Sequence, residues 1–188
     1  MPSLTAISKE VRVALHVGRF RFRVANFFCS LLPQFSFTTV RTAIYRGFGI
    51  QAGERVAFMH SITVSGSGQG IFRRLTIGDD STIGTGVLFD LDDAITIGSR
   101  VMIGPGVRIY TSKHALGPSS QRFTPSFVTQ PVSIEDGAWV GLGSIILAGV
   151  TIGHGSVVGA GSVVNRDVPP DTLVSGVPAV VVKELPKD

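Results

Sequence analysis

His114 is the residue of this chain best suited to move a proton at neutral pH. An imidazole titrates near pH 6.5 and can take a proton from a hydroxyl. It stands at the root of segment 110–131, which carries Gly117, Pro118, Pro125 and Pro131. Long irregular segments in compact domains are usually functional. By residue type alone, a loop histidine is still more often solvated than catalytic. Three carboxylates precede it, Asp90, Asp92 and Asp93. A carboxylate near an imidazole can hold its tautomer or bind a hydroxyl-bearing substrate. Asp also suits turns, so the 90–93 corner has a purely conformational reading as well. Cys29 is the single cysteine and lies far from this segment, which gives a covalent cysteine intermediate little support. A zinc site needs converging histidines; His60 and His154 read as ordinary coil or turn residues, and no metal is expected.

What positions these residues is a six-residue period. Ile134, Val140, Ile146, Ile152, Val158 and Val164 follow one another at intervals of six. Upstream the same rhythm runs Ile71, Ile77, Ile83, Phe89, then Ile97, Ile103, Ile109 after an insertion of two. Ile50, Val56 and Ile62 form an earlier run, joined by an insertion of three. A helix repeats at 3.6 residues and a strand at two, so neither gives this period. Six residues make a short strand and a turn with one aliphatic side chain pointing to a common axis. Three such units close a triangular coil, and coils stack at about 4.8 Å. Phe89 and Ile109 are then equivalent points one coil apart. This puts Asp90, Asp92 and Asp93 one rung beneath residues 110, 112 and 113, next to the His114 neighbourhood. The period does not set the hand of the coil.

The composition agrees with many short strands and tight turns: 23 glycines among 188 residues, 44% hydrophobic and only 16% charged. One cysteine and no secretory-type apolar run at the start point to a reducing compartment. Residues 1–48 hold seven basic residues against Glu10, whereas residues 49–188 are slightly acidic. A basic arm suits an anionic membrane surface or a phosphate-bearing partner. Nothing resembles a nucleic-acid reader. Val13, Val17, Phe20, Val24, Phe27 and Leu31 recur at alternating spacings of four and three. The spacing predicts an amphipathic helix over residues 10–32, stopped by Pro33, and a second short helix over 38–46. The apolar stripe is expected to pack on the coil stack or on another subunit, with the membrane as the alternative.

From about Ile50 to Leu185 the chain resembles the hexapeptide-repeat acyltransferases, a group that includes galactoside, maltose and serine O-acetyltransferases and enzymes acetylating bacterial polysaccharides. Tyr110-Thr-Ser-Lys-His114 resembles the stretch ending in the family's catalytic histidine. Pro131-Val-Ser-Ile-Glu-Asp-Gly-Ala-Trp-Val-Gly141 resembles its return to the coil. Gly159-Ala-Gly-Ser-Val-Val-Asn-Arg-Asp-Val-Pro-Pro-Asp171 with Ser175-Gly-Val-Pro-Ala179 resembles its tail and is the most specific segment. The resemblance implies a left-handed parallel β-helix, an all-β solenoid with an α-helical arm and a protruding loop. It also implies a homotrimer with shared active sites, and acetyl-CoA as donor. The donor would meet Trp139, Gly141 and Ala160, with Arg166 and Lys183 for its phosphates. Two departures stand out: Val180 replaces a basic residue common in relatives, and Leu142 replaces a smaller one. Many relatives carry Asn where this chain has Asp90.

The expected organisation is a basic helical arm (1–48), a β-helix (49–170) with loop 110–131, and a tail (171–188) contributing to the CoA site. The expected activity is a cytoplasmic O-acetyl transfer to a saccharide or glycoside by direct attack in a ternary complex. His114 would be the general base; Asp90, foremost, with Asp92 and Asp93 would bind the acceptor. The alternatives are N-acetyl transfer to an amino sugar, or a catalytically silent scaffold.

Overall fold

The structure, a computed structural model, describes residues 17–115, 117–121 and 127–187. Short parallel strands stack into three faces. The first holds β1 (Gln51–Ala52), β4 (Leu75–Ile77), β7 (Ile95–Ile97), β12 (Val132–Ile134) and β15 (Thr151–Ile152). The second holds β2 (Ala57–Phe58), β5 (Thr82–Ile83), β8 (Met102–Ile103), β13 (Trp139–Val140), β16 (Val157–Val158) and β18 (Thr172–Gly176), closed by antiparallel β19 (Ala179–Glu184). The third holds β3 (Thr63–Ser65), β6 (Leu88–Asp90), β9 (Arg108–Ile109), β14 (Ile145–Ile146) and β17 (Val163–Val164). The chain visits the faces in turn, so each coil hydrogen-bonds to the next; Gly141 N–H, for example, donates to the Val158 carbonyl (2.8 Å).

The period works because two positions per strand unit point inward. One is the aliphatic column: Ile77, Ile97, Ile134 and Ile152 on the first face are at most 1% exposed, and each buried Ile contributes about 1.5–3 kcal/mol. The other lies two residues earlier and takes Leu75, Ile95 and Val132, or serines such as Ser81, Ser144, Ser156 and Ser162. Each of these buried hydroxyls donates to a backbone carbonyl, as Ser144 Oγ does to Gly159 (3.0 Å), so burial leaves no orphaned group.

The first coil departs from the expected phase. Ala52, Phe58 and Val64 pair with Ile77, Ile83 and Phe89. Ile50, Val56 and Ile62 are buried, yet they occupy the slots two residues earlier. Ala52 and Ile77 are 25 residues apart, seven more than the 18 between Ile134 and Ile152. The extra chain includes a 3-10 turn at Ile71–Arg74. Ile71 is therefore buried outside the coil strands, and the insertion is seven rather than three.

Two helices precede the coil. Of the helix expected over 10–32, α1 (Val17–Leu31) lies within the described residues; 10–16 lie outside them. α2 spans Thr38–Gly47. Phe22 stacks on Phe72 (ring centroids 4.4 Å apart), and Asn26 bridges the Ile62 carbonyl (2.8 Å) and Tyr45 Oη (2.7 Å). Arg41 is fully buried. Its guanidinium donates to the carbonyl of Cys29 in the last turn of α1 and to those of Leu32, Pro33 and Ser36 just beyond it, satisfying acceptors at the helix end and in the following turn. The apolar stripe does not lie on the coil. Phe20, Val24, Phe27 and Leu31 are 40–64% exposed, while Phe22 and Cys29 face inward. The aromatic docking partners, Tyr45, Phe48 and Phe72, select the Phe22 side of the helix.

Candidate active site

His114 is held by a hairpin at one corner of the triangular coil. β9 ends at Ile109, and the chain leaves between the third and first faces. It forms β10 (Ser112–His114), antiparallel to β11 (Phe127–Thr129), before rejoining the first face at β12. His114 pairs with Phe127, Ser112 with Thr129, and Gln130 N–H donates to the Thr111 carbonyl (2.8 Å). The hairpin fixes where the imidazole emerges from a rigid stack, and its side chain is exposed.

Asp90 lies at the end of β6, beneath this root. It is 4% exposed. Its carboxylate accepts hydrogen bonds from Ser112 Oγ (2.7 Å), Ser65 Oγ (3.0 Å) and the Thr111 backbone N–H (3.2 Å). Thr111 Oγ1 donates to the Asp90 carbonyl (2.7 Å). Residues two apart on a strand share a side. The hydroxyl held by Asp90 and the His114 imidazole therefore leave β10 on one face. Asp92 and Asp93 are engaged differently. Asp92 Oδ1 accepts from Ser67 N–H and Oγ, and Asp93 Oδ1 accepts from Ala94 N–H (2.7 Å). In the sequence Thr111 and Ser112 stand only as part of the segment ending in His114, and Ser65 carries no signal. Ser112 could have been found from its spacing of two to His114, but the seven-residue insertion hid Ser65.

Gly141 and Ala160 meet at the corner between the second and third faces. A Cβ on Gly141 would sit 2.6 Å from the Ala160 nitrogen and 2.7 Å from the Val158 oxygen, so the close stacking of coils requires glycine there. Trp139 projects outward from the second face, 51% exposed, above the equally exposed Met102. Leu142 (61%), just after β13, and Val180 (59%), on β19, are exposed as well. Lys183 is exposed on the same sheet, opposite Leu173. Arg166 is exposed after β17, at the corner from which loop 110–131 also departs. Within one chain, His114 and Arg166 thus share one corner, while Trp139, Gly141 and Ala160 occupy another face and corner. His154 lies 3.5 Å from Asp171 and 3.8 Å from Glu135, and His60 contacts Ser61. Among the described residues, no group of three or more His, Cys, Asp or Glu could hold a metal ion.

Residues 131–166 match the family model described as the hexapeptide repeat of succinyl-transferase. The galactoside O-acetyltransferase of Lactococcus lactis is 37% identical over 57% of this chain and 55% of its own. The chain spans about half the length of the curated relatives it first matches. A protein of Escherichia coli K12, provisionally assigned as a colanic acid biosynthesis acetyltransferase, is 33% identical over 77% of this chain and 74% of its own. Among solved structures, the hexapeptide-repeat-containing acetyltransferase VCA0836 of Vibrio cholerae is 34% identical, with TM-score 0.74, covering 89% of this chain and 92% of its own. It has also been solved with acetyl coenzyme A. Six-residue coil, emergent histidine hairpin and near-full-length similarity agree, and this chain belongs to the hexapeptide-repeat acetyltransferases, which are left-handed parallel β-helices.

Proposed function

We propose that this protein transfers an acetyl group from acetyl-CoA to a hydroxyl of a saccharide or glycoside, with His114 as general base. The observation that carries the reading is the hairpin that presents an exposed imidazole beside a hydrogen-bonded Asp90–Ser112 floor. In the proposed step the imidazole takes the acceptor hydroxyl proton. The oxygen attacks the thioester carbonyl carbon, and backbone N–H groups stabilise the tetrahedral oxyanion. Collapse breaks the carbon–sulfur bond, and the imidazolium returns the proton to the CoA thiolate.

The acceptor would lie against Ser112, above Asp90, with Asp92 and Asp93 at the edge of the same corner. The pantetheine arm would run past Trp139, Gly141 and Ala160, and Arg166 and Lys183 would meet phosphates. These groups occupy different corners of one coil stack, which favours a trimer in which neighbouring chains complete each site. The Vibrio protein crystallised with acetyl coenzyme A supports this donor. The galactoside O-acetyltransferase relatives support a sugar acceptor.

The test is release of CoA thiol from acetyl-CoA, followed by absorbance, over a panel of sugars and amino sugars. Turnover on hydroxyl acceptors that collapses in His114→Ala supports the reading. Turnover confined to amino sugars, or unaffected by the substitution, overturns it.

A further inference from the structure

At about 100° per residue, Phe20, Val24, Phe27, Phe28 and Leu31 of α1 fall within one arc of about 100°. All five are 40–64% exposed. Phe22, Asn26 and Cys29, which hold the helix to the coil, lie on the opposite side. Arg21 falls just beyond one edge of the stripe and Arg23 just beyond the other. Neither takes part in an ion pair among the described residues. From Val17 to Gly53 the chain has no acidic residue. Arg41 and Arg46 are engaged with backbone carbonyls, whereas the side chains of Arg21 and Arg23 are exposed.

The apolar surface continues past the helix. Phe35 (69% exposed), Phe37 (55%) and Val40 (47%) follow in the turn and the start of α2. Phe35 and Phe37 both hold left-handed backbone, with φ of 61° and 56°. Such values strain a bulky side chain and suit glycine or asparagine. Two strained residues present solvent-facing rings instead of a turn-forming residue.

We propose that α1 and the following turn dock on an anionic phospholipid surface, the helix lying in the plane of the interface. An outward apolar stripe flanked on both sides by arginines fits this arrangement. The rings enter the headgroup–acyl boundary, and the guanidinium groups reach lipid phosphates on either side. Charge complementarity selects an anionic surface, because the whole segment lacks carboxylates. No described helix is long and apolar enough to cross a membrane, so the contact is interfacial. This inference rests on the arm alone and is independent of the acyl-transfer reading.

The experiment is flotation of the full chain with vesicles of one part phosphatidylglycerol to two parts phosphatidylcholine, and with phosphatidylcholine alone, with sedimentation velocity in parallel. The wild-type protein should float with the anionic vesicles, less so as salt rises. The pair Phe27→Ser and Leu31→Ser touches exposed side chains only and should weaken binding about tenfold or more, with circular dichroism unchanged. The pair Arg21→Gln and Arg23→Gln should remove the preference for anionic over neutral vesicles. Failure of the wild type to float at low salt overturns the proposal, as does unchanged flotation of the serine pair. If vesicles are ignored and the serine pair instead alters the sedimenting mass, the stripe is a contact between copies and the proposal fails.

Discussion

In the proposed mechanism Asp90 and His114 divide the work at the corner of the coil, and the division is testable. Removing the proposed base in His114→Ala should lower kcat by about 10²–10⁴-fold, with acetyl-CoA binding in calorimetry retained. Asp90 accepts three hydrogen bonds. An asparagine oxygen in the Oδ2 place still accepts from Thr111 N–H and Ser112 Oγ, but the Ser65 hydroxyl must then accept from the amide, and the negative charge beneath Ser112 is gone. Asp90→Asn should therefore lower kcat more than it raises acceptor KM, and Ser112→Ala should reproduce part of the loss. A rise in acceptor KM alone would mean that the carboxylate meets the acceptor directly. Cys29 offers a separate check on the arm. Burial pushes its thiol above the usual range and outweighs the lowering influence of the nearby Tyr45 and Arg41. The Tyr45 phenol is likewise pushed up, first by burial. The thiol should resist alkylation in the native protein and react once it unfolds. Both acids are held neutral by the fold. Their contribution is complete below the ordinary thiol value of 9.0 and is lost as pH rises through the raised values, so melting temperature should decline on the alkaline side.

At the scale of elements, close stacking of coils makes particular glycines indispensable. A Cβ on Gly78 would lie 2.6 Å from the Gly98 carbonyl carbon and the Ser99 nitrogen of the next coil. Gly78→Ala should cost about 1–3 kcal/mol, read as a lowered melting temperature with the oligomeric state kept. Arg41 does the opposite work, tying α1 to the body through four carbonyls. Arg41→Met should destabilise the arm by about 3 kcal/mol and open a protease site before residue 50, leaving the coil resistant. The six-residue spacing of Ile50, Val56 and Ile62 was legible, but their phase was not. Each unit has two inward slots, and both accept aliphatic side chains, so spacing alone does not say which slot a run fills. The side of α1 that meets the coil was hidden for a related reason. Periodicity identifies an apolar face without saying what covers it, and aromatic contacts with Phe48 and Phe72 held the other side.

For the whole molecule, the separation of His114 from Trp139, Gly141 and Ala160 predicts function by assembly. Sedimentation equilibrium should return three times the chain mass. Ala160→Trp, at an exposed corner, should block the proposed donor groove and abolish turnover. Refolding that variant together with His114→Ala should restore activity, because some mixed sites draw an intact histidine from one chain and an intact groove from another. Mixed trimers without activity would show that each chain builds its own site.

The sequence alone determined the repeating coil, the break at 110–131, the histidine at its root and the likeness to acyltransferases. Those features are local: each repeat encodes its own strand, turn and inward residue. Tertiary structure decided the phase of the first coil, the side of α1 turned outward, the partners of Asp90 and the corner each site residue occupies. These depend on contacts such as Ser65 with Asp90 and Asn26 with Ile62, between residues far apart along the chain. Insertions of irregular length set which residues meet there, and that register exists only once the coils have stacked.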